Sequence, residues 1–349
     1  MNYVIIMAGG AGTRFWPLST EEKPKQFLDI LGTGKTFIQM TVDRFEKIIP
    51  AENIYIITNE KYKALVQSQL PSLHENQIIC EPSRNNTAPC ILLAALKIGK
   101  QDPDACCLFV PSDHLIIDTE QFQNNAMAAL EFAYHHKAIV TIGIIPNRPE
   151  TGYGYIKFDP QHKDQIKKVE KFVEKPNLET AKNYIESGEY LWNAGMFAWH
   201  YATILDQYKK LSNQMYRILS NGLEELNTKD ESDFLKENYS KTENISVDFA
   251  IMEKSDCVYT LPAGFDWSDL GIWSSVYEVS PKDENQNVII GNSDVFEDNQ
   301  HNLVILPHKK RAIIRGLKEY IVVDSGDALL IYPKLEEHNI KSSQAKLNK

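Results

Sequence analysis

The stretch that decides the fold is YVIIMAGGAGTRFWPLS, residues 3–19. Its first part, residues 3–7, is an apolar, β-branched run, and the glycines that follow predict a buried strand ending in a tight loop. Glycine lets the backbone turn sharply and brings N–H groups close to phosphate oxygens, because no Cβ stands in the way. Arg14 adds a guanidinium group directly after this loop. This order of features indicates a site for a phosphate-bearing ligand.

Strand-like and helix-like segments alternate after the loop. Apolar runs at residues 53–58, 105–110 and 138–145 predict strands, and the stretches 88–100 and 120–136 predict helices between them. Regular alternation of this kind predicts an α/β fold with a mostly parallel, Rossmann-like sheet and helices on both faces. Ligands of such sheets bind outside the carboxyl ends of the strands, where the glycine loop stands.

The sequence changes in character after about residue 281. Short apolar runs recur at residues 288–290, 303–306, 312–314, 320–323 and 328–331, with Asn, Asp, Gly and Lys between them. This spacing is typical of small all-β folds, either a β-helix or a short barrel-like roll. We therefore predict a larger α/β domain, residues 1–280, and a small, β-helix-like C-terminal domain, residues 281–349.

The amino-acid composition limits which kinds of molecule the protein is expected to bind. The 349 residues carry a formal net charge of −10, and 43% of them are hydrophobic. Binding to duplex nucleic acid requires a clustered basic face, so we expect no nucleic-acid partner. The apolar runs are shorter than the roughly 18 residues of a membrane span, and the odd number of cysteines, 5, without C-x-x-C favours reduced thiols. We expect a cytoplasmic protein without a membrane anchor.

Two common nucleotide-binding motifs are excluded. A dinucleotide fingerprint beginning at Gly10 and Gly12 would need a third glycine where Phe15 stands. Residues 32–36 resemble the end of a Walker A loop, but Asp29 occupies the place of its first glycine. The glycine loop therefore indicates neither an NAD site nor a P-loop NTPase.

The glycine loop and the segment after it resemble the signature of sugar-1-phosphate nucleotidyltransferases. The variant with FWPLS at residues 15–19 and PKQF at residues 24–27 is similar to the mannose-1-phosphate guanylyltransferases in particular. The resemblance continues, in family order, through residues 81–89, 111–114, 152–156, 174–176, 192–197 and 267–271. It implies an enzyme that transfers GMP from GTP to mannose 1-phosphate, giving GDP-mannose and pyrophosphate, with Mg²⁺ as cofactor and a homodimer as the assembly.

Asp113 is the first candidate metal ligand. It follows an apolar, strand-like run between Ser112 and His114, and Mg²⁺ prefers one or two carboxylates together with substrate phosphates. The alternative is an aspartate that caps the next turn. The resemblance implies Asp113 and Asp269 as the two ligands, while Asp266 remains a rival that the sequence does not separate from Asp269. His114 has the position of a base, although a histidine beside a metal-binding aspartate more often orients it.

The resemblance also implies a nucleotide site made from the glycine loop, the 81–89 block and the residue before Asp113. Its predicted members are Ala8, Gly9, Gly10, Gly12, Thr13, Glu81, Asn86, Thr87, Ala88 and Ser112. In the family pattern Glu-Pro-x-x-Arg-Asn-Thr-Ala-Pro, Asn85 stands at the arginine position and Arg84 lies one place early. The sequence leaves open whether Arg84 replaces that arginine.

For the sugar phosphate, the resemblance implies Gly154, Glu174, Lys175 and Asn193 as binding residues. Glu174 would accept hydrogen bonds from sugar hydroxyls, and Lys175 would bind the phosphate. Without the resemblance, a Glu-Lys pair such as this one is typical of a solvated surface. Gly154 would let the backbone approach the sugar closely.

The expected mechanism needs no general base, because a phosphate monoester with a second pKa of about 6 is largely ionised at pH 7. The sugar phosphate oxygen would attack the α-phosphorus of GTP in line, helped by positioning and charge neutralisation. The predicted catalytic residues are Arg14, which would hold the pyrophosphate, Lys25, near the reacting phosphates, and Lys175, which would anchor the nucleophile.

Three alternatives remain at this point. The first is a nucleotidyltransferase for another sugar 1-phosphate or another nucleotide, and the second is a non-catalytic regulatory homologue that binds nucleotide sugars. The regulatory protein is disfavoured by the retention of Arg14, Lys25, Asp113, Lys175 and Asp269. The third, a glycosyltransferase, would use an Asp-x-Asp motif, but residues 102–104 precede their strand instead of following it.

Overall fold

The structure, a computed structural model, describes residues 1–10, 13–161, 163–291 and 295–347. Spatial contacts divide the chain into two compact units, each assembled from several segments. The first unit contains Met1–Gly9, Val42–Ser112 and Ile116–Trp267, and the second contains Gly10–Thr41, Asp113–Leu115 and Ser268–Lys349. These units follow spatial contact and not chain order, so a domain boundary between residues 280 and 281 stays a prediction.

The strands up to residue 268 are mostly short apolar runs, although Lys167–Glu174 is largely polar. They are β1 (Asn2–Met7), β2 (Ile54–Asn59), β3 (Ile78–Glu81), β4 (Cys106–Pro111), β5 (Leu115–Ile116), β6 (Ile139–Ile144), β7 (Gly154–Phe158), β8 (Lys167–Glu174), β9 (Tyr190–His200), β10 (Val258–Ala263) and β11 (Trp267–Ser268). Within the described residues, 9 of these strands form one sheet in the order β3-β2-β1-β4-β9-β6-β10-β8-β7. Strands such as β1 and β6 are buried along most of their length, as continuous apolar runs require.

The sheet is mixed, so the prediction of a mostly parallel, Rossmann-like sheet is not confirmed. β1 runs parallel to β2 and β4, β2 to β3, and β6 to β10. β9 runs antiparallel to β4, β6 and β7, and β8 runs antiparallel to β7 and β10. The reason lies in the connections, because a short segment joins β7 to β8 and only antiparallel strands can be joined without a crossover.

The helices predicted at residues 88–100 and 120–136, now α3 and α4, begin and end within one residue of their predicted bounds. The helices are α1 (Phe37–Phe45), α2 (Lys63–Gln69), α3 (Thr87–Gln101), α4 (Thr119–His136), α5 (Leu178–Ser187), α6 (Tyr201–Leu211), α7 (Asn213–Ser220), α8 (Glu231–Asn238), α9 (Trp273–Val279) and α10 (Ile340–Gln344), with a π-helical turn at Asp248–Met252. α3 is buried along almost its whole length, in the core of the first unit. Within the described ranges, none of the helices combines the length and hydropathy that crossing a bilayer requires.

The end of the second unit contains a strand at each of the five predicted runs and a further strand, Val295–Glu297, that was not predicted. They are β12 (Val288–Ile290), β13 (Val295–Glu297), β14 (Leu303–Ile305), β15 (Ile313–Arg315), β16 (Tyr320–Asp324) and β17 (Leu329–Pro333). β12, β14 and β16 pair in parallel, β13 pairs in parallel with β15, and β17 is antiparallel to β16. The presence of the five predicted strands is confirmed, and the β-helix description stays a prediction.

Buried asparagines join the turns of this C-terminal region. The Asn302 amide nitrogen donates to the side-chain oxygen of Asn287 at 3.0 Å and to the Leu317 carbonyl at 2.8 Å. Asn287 in turn donates to the Asn299 carbonyl at 3.0 Å. Buried polar groups must be hydrogen-bonded, and these amides satisfy backbone carbonyls between strands. The polar residues between the apolar runs are therefore structural.

Candidate active site

The predicted site residues divide between the two units. The first unit holds Ala8, Gly9, Glu81, Asn86, Thr87, Ala88, Ser112, Gly154, Glu174, Lys175 and Asn193. The second unit holds Gly10, Thr13, Arg14, Lys25, Asp113 and Asp269, and Gly12 lies outside the described residues.

In the second unit, Lys25 links the two predicted metal ligands. It begins a 3₁₀ turn, Lys25–Phe27, and its Nζ lies 3.2 Å from Asp113 Oδ2. The same ammonium donates to the backbone carbonyl of Asp269 at 2.6 Å. Only 6% of the Lys25 side chain is exposed, and its Nζ lies 5.6 Å and 5.2 Å from the ring centroids of Phe15 and Phe37. An ammonium so enclosed requires a paired carboxylate, which Asp113 supplies.

The charge state of Asp113 follows from its neighbours. Burial disfavours its ionised form, but the positive charges of Lys25 and His114 outweigh that effect and hold the pKa of Asp113 below its ordinary value. Asp113 is therefore an anion at neutral pH, as a ligand of a divalent cation must be.

Asp269 is held by a strained turn. Its Oδ1 accepts the N–H of Gly271 at 3.1 Å, and Leu270 between them has a φ of +44°, which is rare for a bulky side chain. A Cβ on Gly271 would lie 2.9 Å from Asp269 Oδ2 and 3.4 Å from Arg14 Nη1. Gly271 therefore leaves the space in which the Asp269 carboxylate and the Arg14 guanidinium approach each other.

The structure also separates the rival aspartates. Asp269 shares Lys25 with Asp113, whereas Asp266 is exposed and its backbone carbonyl accepts the N–H of Ile117 at 3.1 Å. In the described part of the chain, no three His, Cys, Asp or Glu side chains are grouped to hold a metal. A metal site in this cluster would therefore rest on two carboxylates and on oxygens from the substrate.

The start of the glycine loop is fixed by strand β2. Ala8 donates to the Ile57 carbonyl at 2.8 Å, and its own carbonyl accepts the Thr58 hydroxyl at 2.8 Å. A Cβ on Gly9 would stand 3.7 Å from Glu81 Oε2. In the second unit, the Gly10 carbonyl accepts the Gln26 amide at 3.2 Å, which explains part of the PKQF motif.

Glu81 is a buried carboxylate next to Gly9. The hydroxyl of Tyr239 donates to its Oε1, and the Cys90 thiol also contacts it. Burial is the dominant effect and raises the pKa of Glu81 to about 7, although these two hydrogen bonds favour the anion. Glu81 is therefore partly protonated near neutral pH, an unusual state for a glutamate.

In the segment after Glu81, Asn85 and Arg84 make different contacts. The Asn85 amide nitrogen donates to the carbonyls of Tyr239 and Thr242 at 3.2 Å and 3.0 Å, so this side chain ties two segments together. Arg84 donates to the Tyr62 hydroxyl at 2.5 Å, with its guanidinium 5.7 Å from the ring centroid. In this structure Arg84 binds Tyr62, and Asn85 has a structural role.

The first turn of α3 contains three predicted nucleotide-binding residues. Asn86 has a φ of +69°, and its side-chain oxygen accepts the N–H of Thr87 at 2.9 Å. The Thr87 hydroxyl accepts the N–H of Val247, and the N–H of Ala88 donates to the Ile245 carbonyl at 3.1 Å. Residues 245–247 therefore fix the geometry of this helix start.

The predicted sugar-phosphate residues meet on neighbouring strands of the first unit. Gly154 of β7 pairs directly with Glu174 of β8, and a Cβ on Gly154 would stand 2.5 Å from Glu174 Oε1 and 3.4 Å from the Cβ of Asn193. Lys175 has a φ of +46°, an exposed side chain, and its Nζ lies 3.6 Å from Glu174 Oε2. Gly154 thus makes room for a carboxylate and an amide side by side.

Asn193 is fixed at both ends of its amide. Its Oδ1 accepts the N–H of Gly195 at 3.0 Å, and its Nδ2 donates to Asp248 Oδ1 at 2.8 Å. Burial raises the pKa of Asp248, and burial together with the nearby charge of Asp248 raises the pKa of Glu174. Asn193 and Asp248 are therefore joined by a hydrogen bond, and Glu174 interacts with Asp248 through its charge.

Sequence reasoning missed Tyr239 and Asp248. Each is the partner of a predicted site residue, Glu81 and Asn193, but lies 158 and 55 positions away from it. The stretch around Asp248 shows no strand or helix periodicity, and a lone aspartate between two apolar residues gives no signal. The roles of the predicted residues with substrates stay predictions.

Several known proteins are similar to this chain over nearly its whole length. The family model described as nucleotidyl transferase matches residues 3–286. A mannose-1-phosphate guanylyltransferase from Salmonella montevideo is 38% identical over 338 residues, which cover 94% of this chain and 70% of that protein. One from Klebsiella pneumoniae is 37% identical over 348 residues, 97% of this chain and 72% of that protein.

Among solved structures, one described as a mannose-1-phosphate geranyltransferase from Thermus thermophilus has a TM-score of 0.89 to this chain at 30% identity. The match covers 100% of this chain and 99% of that chain. The resemblance that the sequence motifs predicted is confirmed.

Proposed function

Because this chain belongs to the nucleotidyl transferase family, we propose that it transfers GMP from GTP to mannose 1-phosphate. The products are GDP-mannose and pyrophosphate. The observation that carries this proposal is the single ammonium of Lys25, bound to the Asp113 carboxylate and to the Asp269 carbonyl. Lys25 belongs to the PKQF motif, and Asp113 and Asp269 belong to the motifs at residues 111–114 and 267–271. Their contacts bring positive and negative charge together in one cluster, as phosphoryl transfer requires.

We assign Mg²⁺ as the cofactor, with Asp113 and Asp269 as its protein ligands. The fit is supported by the ionised state of Asp113 and by the shared Lys25, which brings the two residues to one place. Two carboxylates completed by phosphate oxygens are a donor set that Mg²⁺ takes. When bound, the ion neutralises charge on the α-phosphate and on the leaving pyrophosphate.

The other residues act by binding and orientation. Lys175, whose exposed ammonium is adjacent to Glu174, holds the phosphate of mannose 1-phosphate, and Glu174 and Asn193 bind its hydroxyls. Arg14 holds the pyrophosphate, while Lys25 holds Asp113 in place and supplies positive charge to the reacting phosphates. The sugar phosphate attacks as a dianion, since its second pKa is about 6, so no side chain removes a proton.

The nucleotide is assigned to the glycine loop and to the segment of Glu81. The members of this set are Ala8, Gly9, Gly10, Gly12, Thr13, Glu81, Asn86, Thr87, Ala88 and Ser112. We also propose a cytoplasmic homodimer without nucleic-acid partners, a catalytic domain of residues 1–280 and a β-helix-like domain of residues 281–349.

Pyrophosphate release from a panel of nucleotides and sugar 1-phosphates tests the proposal. GTP, ATP, UTP and dTTP are combined with mannose, glucose and galactose 1-phosphates, each with Mg²⁺ and with a chelator. We expect release only with GTP and mannose 1-phosphate, lost on chelation and restored by added Mg²⁺. Preference for another pair would overturn the substrate assignment, and release that survives chelation would overturn the metal assignment. A folded protein that binds nucleotide without any release would favour the regulatory alternative.

A further inference from the structure

Asp248 lies outside every motif of the resemblance, yet it contacts a predicted sugar-binding residue. It begins the π-helical turn Asp248–Met252, and its Oδ1 accepts the amide N–H of Asn193 at 2.8 Å. The turn is anchored on its N-terminal side, because the N–H of Val247 donates to the Thr87 hydroxyl at 2.9 Å. Asp248 is thus a fixed acceptor and not a mobile surface carboxylate.

The amide of Asn193 has only one orientation that satisfies its neighbours. Its oxygen faces the N–H of Gly195 at 3.0 Å, and its nitrogen faces the Asp248 carboxylate. A flipped amide would set a donor against the N–H of Gly195 and an acceptor against a carboxylate, so both hydrogen bonds would be lost. The second N–H and the second lone pair of the Asn193 amide therefore point in directions that Asp248 and Gly195 determine.

Asn193 stands beside the other predicted sugar-binding groups. A Cβ built on Gly154 would come within 3.4 Å of the Asn193 Cβ and within 2.5 Å of Glu174 Oε1. Burial is the largest cause of the raised pKa of Glu174, and the nearby charge of Asp248 raises it further. Asp248 therefore acts on both groups that would bind sugar hydroxyls.

We infer that Asp248 is the positioning residue that sets which sugar 1-phosphate this enzyme selects, an inference that rests on the proposed function. Acting through Asn193, it presents one donor and one acceptor at fixed angles to the hydroxyls of the sugar ring. Epimeric sugars differ in the direction of a single hydroxyl, so a fixed amide discriminates between them and a freely flipping amide does not. Sites built to bond a substrate hydroxyl reject analogues that leave buried polar groups unpaired.

The test compares Asp248→Ala and Asp248→Asn with the wild type, using the sugar 1-phosphate that the wild type turns over. We expect Asp248→Ala to raise the KM for the sugar 1-phosphate about 10-fold and to leave the KM for GTP within about twofold. Its preference for mannose 1-phosphate over glucose 1-phosphate should fall by a similar factor. Asp248→Asn should recover most of the lost affinity, because its amide oxygen still accepts the Asn193 N–H. Asp256→Ala, at an exposed aspartate between the π-helical turn and β10, is the matched control.

A double-mutant cycle separates positioning from folding. If Asp248 acts through Asn193, the change Asp248→Ala should have little further effect on the sugar KM in an Asn193→Ala background. Equal effects in both backgrounds, or parallel increases in the KM for GTP and for the sugar, would overturn the inference. A wild type that turns over another sugar 1-phosphate would overturn only the substrate assignment. The Asp248 comparison would then be repeated with that sugar.

Discussion

Two groups of carboxylates in this protein have pKa values shifted in opposite directions, although burial raises the pKa in both. In the second unit, the pKa of Asp113 is lowered, because Lys25 and His114 outweigh the effect of burial. In the first unit, burial raises the pKa values of Glu174 and Asp248. The charge of Asp248 adds to this effect at Glu174, where Lys175 opposes it only in part, and the hydrogen bond from Asn193 opposes it only in part at Asp248. Residues of the same chemical class therefore have pKa values shifted in opposite directions, and the balance between burial and the neighbouring charges decides the direction.

The opposite pKa shifts indicate a different role for each group. Asp113 and Lys25 form an ion pair in which only 6% of the lysine side chain is exposed, so it suits the handling of fixed charge. Asp248 holds the Asn193 amide by a hydrogen bond, and Asn193 and Glu174 lie beside Gly154, an arrangement suited to binding neutral hydroxyls. We therefore expect substitutions of Asp113 or Lys25 to affect turnover. Substitutions of Glu174, Asn193 or Asp248 should affect the affinity for the sugar.

The largest effect is expected from Asp113→Asn. The variant keeps the shape of the side chain and removes its charge, so turnover should fall roughly 10³-fold or more through lost metal binding and charge stabilisation. Pyrophosphate release from GTP and mannose 1-phosphate at saturating Mg²⁺ measures the change. Asp269→Asn should behave similarly, while the exposed Asp266→Asn should keep near-normal turnover. Equal losses in Asp266→Asn and Asp269→Asn would contradict the assignment of Asp269.

Lys25→Met tests the other half of the ion pair. Methionine fills the space between Phe15 and Phe37 but removes the ammonium, so the Asp113 anion loses its partner. We expect turnover to fall about 10²-fold, in line with the loss of one preorganised charge. The control is Lys23→Met, because Lys23 is exposed and lies two residues earlier. Near-normal turnover in Lys25→Met would remove this residue from the mechanism.

The buried carboxylate of Glu81 should make the stability of the folded protein depend on pH. Its pKa of about 7 in the folded protein exceeds its ordinary value of 4.5, so its contribution to stability is full below pH 4.5 and is lost as pH rises through 7. Glu81→Gln imitates the protonated form and removes this dependence. Between pH 5 and pH 8 the variant should therefore gain about 2 kcal/mol of unfolding free energy relative to the wild type.

Urea unfolding at the two pH values measures this gain, with the exposed Glu186→Gln as control. A difference between Glu81→Gln and the wild type that does not change with pH would show that Glu81 is already ionised at pH 5.

Gly154→Ala gives the smallest expected effect and sharpens the role of the second group. The new methyl would stand 2.5 Å from Glu174 Oε1, the flexible end of a side chain, so the carboxylate should move while the fold is kept. The KM for mannose 1-phosphate should rise about 10-fold, and kcat and the KM for GTP should change little. Gly152→Ala, whose methyl would come no closer than 3.4 Å to Glu150 Oε1, is the matched control. A loss confined to kcat would contradict a sugar-binding role.

Much of the fold could be predicted from local pattern. The runs at residues 105–110 and 288–290 became β4 and β12 because apolar, β-branched segments bounded by turn residues have few other ways to be buried. The direction of β9 could not be predicted, because pairing direction depends on connections between distant strands and not on the composition of one strand.

For the candidate site, too, some features could be predicted from the sequence and others could not. The residue types of the site could be read from the sequence, since Arg14, Lys25, Asp113, Lys175 and Asp269 stand in short motifs whose order is readable along the chain. The packing of the folded chain was needed to show that Asp269 and not Asp266 shares Lys25 with Asp113, that Asn85 is structural, and that Asp248 holds Asn193. The physical reason is distance along the chain. Lys25 meets Asp269 across 244 positions, and a contact of that kind is set by packing, which no local pattern records.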